Sequence, residues 1–364
     1  MLFHSSLRKE LARTFGATLV VLVTVVMTMT LIRTLSEATR GVFNPADVLI
    51  IMGYTVLSDL PMILSLSLFI AVISVITRMY KDSEMVIWLG SGRGLASLLQ
   101  PLLRFSWPIF VVIFLLAFVV LPWAFGRIED LRDQYEKRGD IARIEAGQFQ
   151  ESASGDRVFF IERDAKDKLA GTHVFMVTRD RGKETITSAA RGTVQTIGAD
   201  QFLVLENGQR LEKTEDNAAL NLSTFARYGA RVGADNPSAR SVTPPSTLSA
   251  IALTEAPTAR NLAELAWRCG LCLAAVNLLL IGLGVAGANP RSGRTANMAL
   301  AFLIFIVYFN LLVLGKSWIE TEKVSISIYL LGLHGGTLAL AALCLAARHN
   351  QWTPRFSLQR RVTP

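Results

Sequence analysis

Gly315-Lys316-Ser317 is the tripeptide in this chain that looks most like the end of a phosphate loop. Such a loop needs a further glycine five positions before Gly315, and that position holds Asn310. Residues 311–314 in between are wholly apolar. A phosphate loop must keep backbone N–H groups free, whereas a helix uses them internally, so the segment reads as apolar helix and not as a nucleotide site. Cys269 and Cys272 form a CxxC, a spacing that elsewhere holds a metal or a redox couple. No second thiol pair or flanking histidine accompanies them, so the simpler reading is two small residues one helical turn apart. The histidines are His4, His173, His334 and His349, and only His334 falls inside an apolar run, beside Gly335 and Gly336. An intramembrane hydrolase needs a polar catalytic pair facing water. A histidine beside close-packing glycines reads instead as a helix-contact residue. No cofactor or metal is expected.

Two charged groups offer binding chemistry in place of catalysis. In the stretch 81–90, Asp82 or Ser83 is placed to cap a short helix. Glu84 suits the positive end of that helix, and Gly90 and Gly92 end it. Met85, Trp88 and Leu89 form an apolar stripe on a helix too short to span a membrane. It can lie among headgroups, or it can dock on a partner with Glu84 as the charged anchor. The second group is Arg33, one turn before Glu37, together with Lys316, with Asp59 at similar depth. These bases either snorkel to an interface or rim a site for an anionic amphiphile whose acyl chains fill the apolar space beneath.

The elements that must position these residues are six long apolar runs, near residues 14–31, 56–76, 102–125, 262–288, 296–314 and 324–347. Each is close to the roughly twenty residues a helix needs to cross a bilayer. Lipid offers the backbone no hydrogen-bond partner, so the runs are expected to be helices. They divide the chain into a first membrane half at 1–126, a polar insert at 127–260, a second membrane half at 261–348 and a tail at 349–364. Hydrophobic residues make up 51% of the chain, which suits that reading. The net charge of +8 would suggest nucleic acid in a soluble protein. Here the bases cluster on one side of the alternating spans: Arg8, Lys9 and Arg13, then Arg78, Lys81, Arg93 and Arg104, then Arg291 and Arg294, then Arg348, Arg355, Arg360 and Arg361. The positive-inside rule puts both termini and the Glu84 loop in the cytoplasm and the insert outside, with no nucleic-acid partner. The first run is too long for a signal peptide and is expected to stay as a span. Phe3, Leu7 and Leu11, spaced by four, suggest a short interfacial helix leading into it.

Within the insert the apolar period changes to alternation. Strands are expected at 158–162, 173–178, 184–189, 193–196, 202–206 and 220–228, with turns at Ser154-Gly155-Asp156, Arg181-Gly182 and Gly198-Ala199-Asp200. Asn207-Gly208 signals a hairpin into 209–212. Many short strands argue for an antiparallel sandwich, jelly roll or open barrel. Residues 128–146 look like a charged helical extension of the third run. Residues 235–257, with Pro237, Pro244, Pro245 and Pro257, read as a linker back to the membrane. The insert has no cysteine, so its core alone must hold it.

Several segments resemble one family. They include Leu31-Ile32-Arg33-Thr34-Leu35, Leu64-Ser65-Leu66-Ser67-Leu68-Phe69, Tyr80-Lys81-Asp82-Ser83-Glu84 with Ser91-Gly92, and Gly147-Gln148-Phe149-Gln150. Phe159-Phe160-Ile161-Glu162, Ala266-Trp267-Arg268 and Asn289-Pro290-Arg291-Ser292-Gly293-Arg294 complete the order. Taken with the three-plus-insert-plus-three layout, they resemble the lipopolysaccharide export permeases of the YjgP/YjgQ type, F subunits most closely. The resemblance implies a Gram-negative inner-membrane ABC-transporter half of six transmembrane helices with an inserted antiparallel β-jellyroll in the periplasm. Its partners would be a homologous G permease subunit, a cytoplasmic ATPase dimer, a single-span periplasmic accessory subunit, lipopolysaccharide and membrane lipid. Asp82, Ser83, Glu84 and Trp88 would belong to the coupling helix on the ATPase. Arg33, supported by Lys316, would contact lipid phosphate, although Thr30 stands where such proteins can carry a lysine. A permease of another lipid, lipoprotein-release or efflux system is the alternative; such systems usually place the external domain after the first span.

Overall fold

The computed structural model describes residues 2–39, 42–92, 94–137, 150–151, 157–163, 170–180, 183–197, 200–214, 220–231, 243–286 and 294–349. Six helical segments among them are long and apolar enough to cross a membrane: Ser5–Thr39, Pro45–Lys81, Leu95–Tyr135, Ala259–Val285, Met298–Glu320 and Ile326–Arg348. The chain divides into two compact units, one of residues 1–30, 52–126 and 244–364, the other of 31–51 and 127–243.

The first unit is helical, and three of its helices carry residues of the second unit at one end. Helix α1 (Leu2–Thr39) is unbroken, and α2 (Val48–Lys81) ends in a tight turn into the short α3 (Glu84–Gly90). The third span comprises α4 (Leu99–Leu115), a π-helical segment (Leu116–Val120) and α5 (Leu121–Lys137). The expected charged extension is therefore helical as far as Lys137, and its remainder, 138–146, lies outside the described residues. The linker expected at 235–257 is in part a short helix, α6 (Ala250–Glu255), started by the Ser249 hydroxyl accepting from the Ala252 N–H. Then follow α7 (Ala259–Val285), capped by Thr258, and α8 (Arg294–Glu320). The last span is α9 (Ile326–Tyr329), a second π-helical segment (Leu330–Gly335) and α10 (Gly336–His349).

Helix α7 is the centre of this unit, because small residues let its neighbours approach closely. A Cβ on Gly282 would lie 3.2 Å from the Phe69 ring of α2. One on Gly270 would lie 3.0 Å from Leu312 and 3.3 Å from His334 Nε2. Phe69, Val72, Ile73, Leu278 and Leu279 are all buried here. The expected interfacial helix of Phe3, Leu7 and Leu11 is instead the first turns of α1. Leu7 and Leu11 are buried in the same core as Met85 and Trp88, so burial against protein has replaced a position in the headgroups.

In the second unit, six antiparallel strands stand in sequence order: β1 (Gln150–Glu151), β2 (Arg157–Arg163), β3 (Ala170–Asp180), β4 (Lys183–Ile197), β5 (Asp200–Thr214) and β6 (Leu220–Arg231). The inserted antiparallel sheet is as expected, and its order is a meander. Two pairs of expected strands fuse into the long β4 and β5. The Asn207-Gly208 hairpin does not form, because both neighbouring strands pair with β5 without a break in register. Arg191↔Glu206 and Ala189↔Gly208 hold one side, Glu206↔Arg227 and Gly208↔Phe225 the other. Continuous partners on both edges outweigh a local turn preference. Asn207 keeps the left-handed backbone of its turn chemistry, with φ 52°. His173 has φ 50°, and both face the register position of Ala190, so a crease runs across three strands. Gly208 has to be glycine there, since a Cβ would lie 2.4 Å from the Phe225 ring and from the Ser188 carbonyl oxygen. The turns expected at 154–156 and 181–182, and Gly198-Ala199 of the third, lie outside the described residues. Val174, Met176, Ala189, Leu203, Leu205 and Ala230 form the buried face.

Candidate functional site

The chemistry-bearing residues gather in four places, three of them built by a pair or trio of helices and the fourth by α1 alone. At the turn from α2 to α3, one guanidinium serves three carboxylates. Arg78 donates from both terminal nitrogens to Glu84, at 2.8 and 3.2 Å, and to Asp82 Oδ2 at 3.0 Å. It also pairs with Glu10 of α1. The Glu84 side chain, 41% exposed, is thus held within the chain. Ser83 occupies the N-cap position with φ 61°, and its side chain makes no capping bond. The turn takes a left-handed residue there, in place of the extended backbone that an N-cap side chain needs. The expected apolar stripe also divides. Met85 and Trp88 are buried, with Trp88 Nε1 donating to Ser97 Oγ at 3.1 Å, whereas Val86, Ile87 and Leu89 are exposed. Trp88 anchors the helix from beneath and does not present itself outward.

The second place is where the chain enters α7. Arg268 is fully buried, and its Nε donates to Glu264 Oε1 at 3.0 Å, one turn earlier. Its terminal nitrogens donate to the carbonyls of Leu248 at 2.9 Å, Ser246 at 3.0 Å and Pro245 at 3.3 Å. Glu264 Oε2 accepts from Lys316 Nζ at 2.7 Å. Two bases and one acid leave this triad with one net positive charge. Beside it lies a cavity of about 280 Å³ lined by Phe125, Ser246, Trp267, Val313, Glu264 and Lys316. Lys316 is therefore a paired ammonium at a cavity wall, and also lies over the Trp267 ring at 5.9 Å. The sequence reading missed Glu264 and Arg268 as a site. Their i, i+4 spacing inside an apolar run was the available signal, since ionisable residues at membrane depth are rarely idle.

The remaining phosphate-loop look-alike dissolves at the same helix. Gly315-Lys316-Ser317 lies within α8, so its backbone N–H groups are committed to the helix. A Cβ at Gly315 would lie 1.7 Å from the Tyr329 ring, which accounts for the glycine by packing.

The third place is a buried polar knot. Asn277 Nδ2 lies 2.7 Å from Thr337 Oγ1, 2.9 Å from the Tyr308 hydroxyl and 3.0 Å from the His334 carbonyl, three acceptors around its two N–H groups. Tyr308 Oη lies 2.8 Å from His334 Nδ1. These contacts bind α7, α8 and the last span, and His334 occupies the space that a side chain at Gly270 would need. The histidine is a helix-contact residue, as expected. Cys269, Cys272 and Cys344 are free thiols, and among the described residues no cluster of metal-ligating side chains occurs.

The fourth is the end of α1. Arg33 is 79% exposed, and its Nε donates to Glu37 Oε1 at 3.1 Å. An exposed helical pair of this kind contributes only about 0.2–0.5 kcal/mol. Stability therefore does not explain an arginine there. Arg33 and Lys316 fall in different compact units.

Set against known proteins, the family model described as lipopolysaccharide export system permease LptF/LptG matches residues 6–348. The chain is 26% identical over 364 residues to the lipopolysaccharide export system permease protein LptF of Escherichia coli K12, an alignment covering 97% of this chain and 95% of that protein. The same figures hold for the protein of that name from Shigella flexneri. A match that takes in all six candidate spans and the inserted sheet places the chain in a family of multi-span transporter subunits: it belongs to the LptF/LptG family of lipopolysaccharide export system permeases.

Proposed function

We propose that the chain is the F-type membrane subunit of an ATP-driven lipopolysaccharide exporter in the inner membrane. It would pair with a homologous G permease, sit on a cytoplasmic ATPase dimer and pass lipid to a single-span accessory subunit. The family match over nearly the whole chain carries this reading. Orientation follows from the distribution of arginine and lysine, with both termini and α3 on the cytoplasmic side. A cysteine placed at Leu220, exposed on β6, should react with an impermeant thiol reagent on intact spheroplasts, and one at Ile87 should not. The reverse pattern would overturn the orientation.

Docking on the ATPase is assigned to α3, with Asp82, Ser83, Glu84 and Trp88 shaping it. Val86, Ile87 and Leu89 provide the outward apolar face. Trp88 and Met85 hold the helix rigidly from below, as a docking knob requires. Ile87→Asp should leave the membrane fold intact and sharply reduce co-purification of the ATPase. Undiminished co-purification would leave α3 as a helix of the headgroup layer. Handover of lipid is assigned to the sheet, where β6 is an edge strand able to extend into another sheet.

Phosphate contact is assigned to Arg33 at the end of α1 and, as a separate point of contact, to Lys316 at its cavity wall. A guanidinium holds phosphate bidentately, whereas an ammonium acts as a point charge. Removing the arginine should cost about 1.5–3 kcal/mol of lipid contact, the range for hydrogen bonds to charged groups. Arg33→Glu should do worse than Arg33→Ala, because it adds repulsion to the loss. A photo-crosslinker at position 33 should form an adduct with lipopolysaccharide. Adducts from deeper positions of α1 and none from position 33 would make the arginine an interfacial anchor.

A further inference from the structure

The three carboxylates around Arg78 come from three different pieces of chain, and this has a mechanical consequence. Glu84 belongs to α3, Asp82 to the turn, and Glu10 to α1. Glu10 lies one turn beyond Leu7 on α1, at i+3, and Leu7 and Leu11 are buried with Met85 and Trp88 in one core. The start of α1 is therefore fastened to the docking helix by both apolar burial and an ion pair. The helix is held less in between, with only 6% of its most apolar stretch buried, and burial returns at Thr30, Thr34 and Ala38 beside Arg33. Yet α1 is one helix from Leu2 to Thr39, with no proline, and it carries Arg33 about six turns beyond Glu10.

We propose that Glu10 and Arg78 are positioning residues that make engagement of α3 move the first span, so that events at the ATPase reach the Arg33 end of α1 through a single helix. The inference rests on the docking of α3 proposed above. The ion-paired cluster sets one guanidinium against three carboxylates, with Lys81 as the adjoining base. A cation from a docking partner competes with Arg78 for Glu84, the carboxylate of the three that lies on the docking helix itself. When such a cation takes Glu84, Arg78 gives up two hydrogen bonds and redistributes to Asp82 and Glu10. The grip on α1 tightens as the grip on α3 is handed over. An axial or rotational shift at the first turns of an unbroken helix is then felt along its length.

The test uses the complete complex with its ATPase and partner permease in lipid nanodiscs. A nitroxide at Val20, exposed on α1, reports the helix through its spectrum in the nucleotide-free and vanadate-trapped states. The wild type should show a nucleotide-dependent change. Glu10→Gln should lose that change and lose stimulation of ATP hydrolysis by lipopolysaccharide, while the ATPase still co-purifies. Glu10→Asp, which keeps the charge, should restore part of both and guards against a simple folding defect. Full change and full stimulation in Glu10→Gln would overturn the inference and leave docking intact. Failure of the ATPase to co-purify even with the wild-type chain would instead overturn the docking reading beneath it.

Discussion

Arg268→Met should destabilise the helical unit by about 3–5 kcal/mol, the range for breaking a buried ion pair by removing one partner. The substituted side chain keeps the volume and removes the charge. Glu264, 3% exposed, would then lean on Lys316 alone. The carbonyls of Pro245, Ser246 and Leu248 would each lose the donor they now share on one guanidinium. Those carbonyls lie where the chain returns towards α7, so loss of Arg268 also unties that entry. Lys316→Met should cost far less, because Lys316 is about one-third exposed and Glu264 keeps its buried partner. Thermal unfolding in detergent can be followed with a thiol-reactive dye, since Cys269, Cys272 and Cys344 are free and sit in the spans being tested. Equal melting curves for wild type and Arg268→Met would show that the triad holds nothing together.

Gly315→Ala should cost about 1–3 kcal/mol or more, as expected for an added methyl in a filled core. The new carbon would stand 1.7 Å from Tyr329 Cε2, well inside any van der Waals contact. Tyr329 cannot swing aside freely. It is buried, and its hydroxyl donates to the Leu312 carbonyl at 3.3 Å. Tyr329→Ala alone should also destabilise, through the cavity it leaves. Combined, the two should cost clearly less than their sum, because the alanine methyl then enters space the ring has vacated. Strict additivity in that double-mutant cycle would mean that the glycine does not serve the ring. The same dye assay reads all three variants.

How much of this was legible beforehand depends on the range of the interactions involved. Six spans and an inserted antiparallel sheet follow from local pattern alone. A run of some twenty apolar residues in lipid has only the helix available, and a period of two has only the strand. The family could likewise be read from short segments in order, since Arg33-Thr34, Lys81-Asp82-Ser83-Glu84 and Trp267-Arg268 are contiguous residues. What the sequence did not disclose is every arrangement that depends on a distant partner. Asn207-Gly208 reads as a hairpin until β4 and β6 are seen pairing straight past it. Lys316 reads as a free base until Glu264, 52 residues earlier, is found holding it. Glu84 reads as an outward anchor until Arg78 takes both its oxygens, and Trp88 as part of an exposed stripe until α3 turns it inward. Periodicity says which face of a helix is apolar, and composition says which charges exist. Which charge satisfies which is settled only when the chain folds, because burying an ion without a partner costs several kcal/mol and the tertiary structure alone decides what lies within reach.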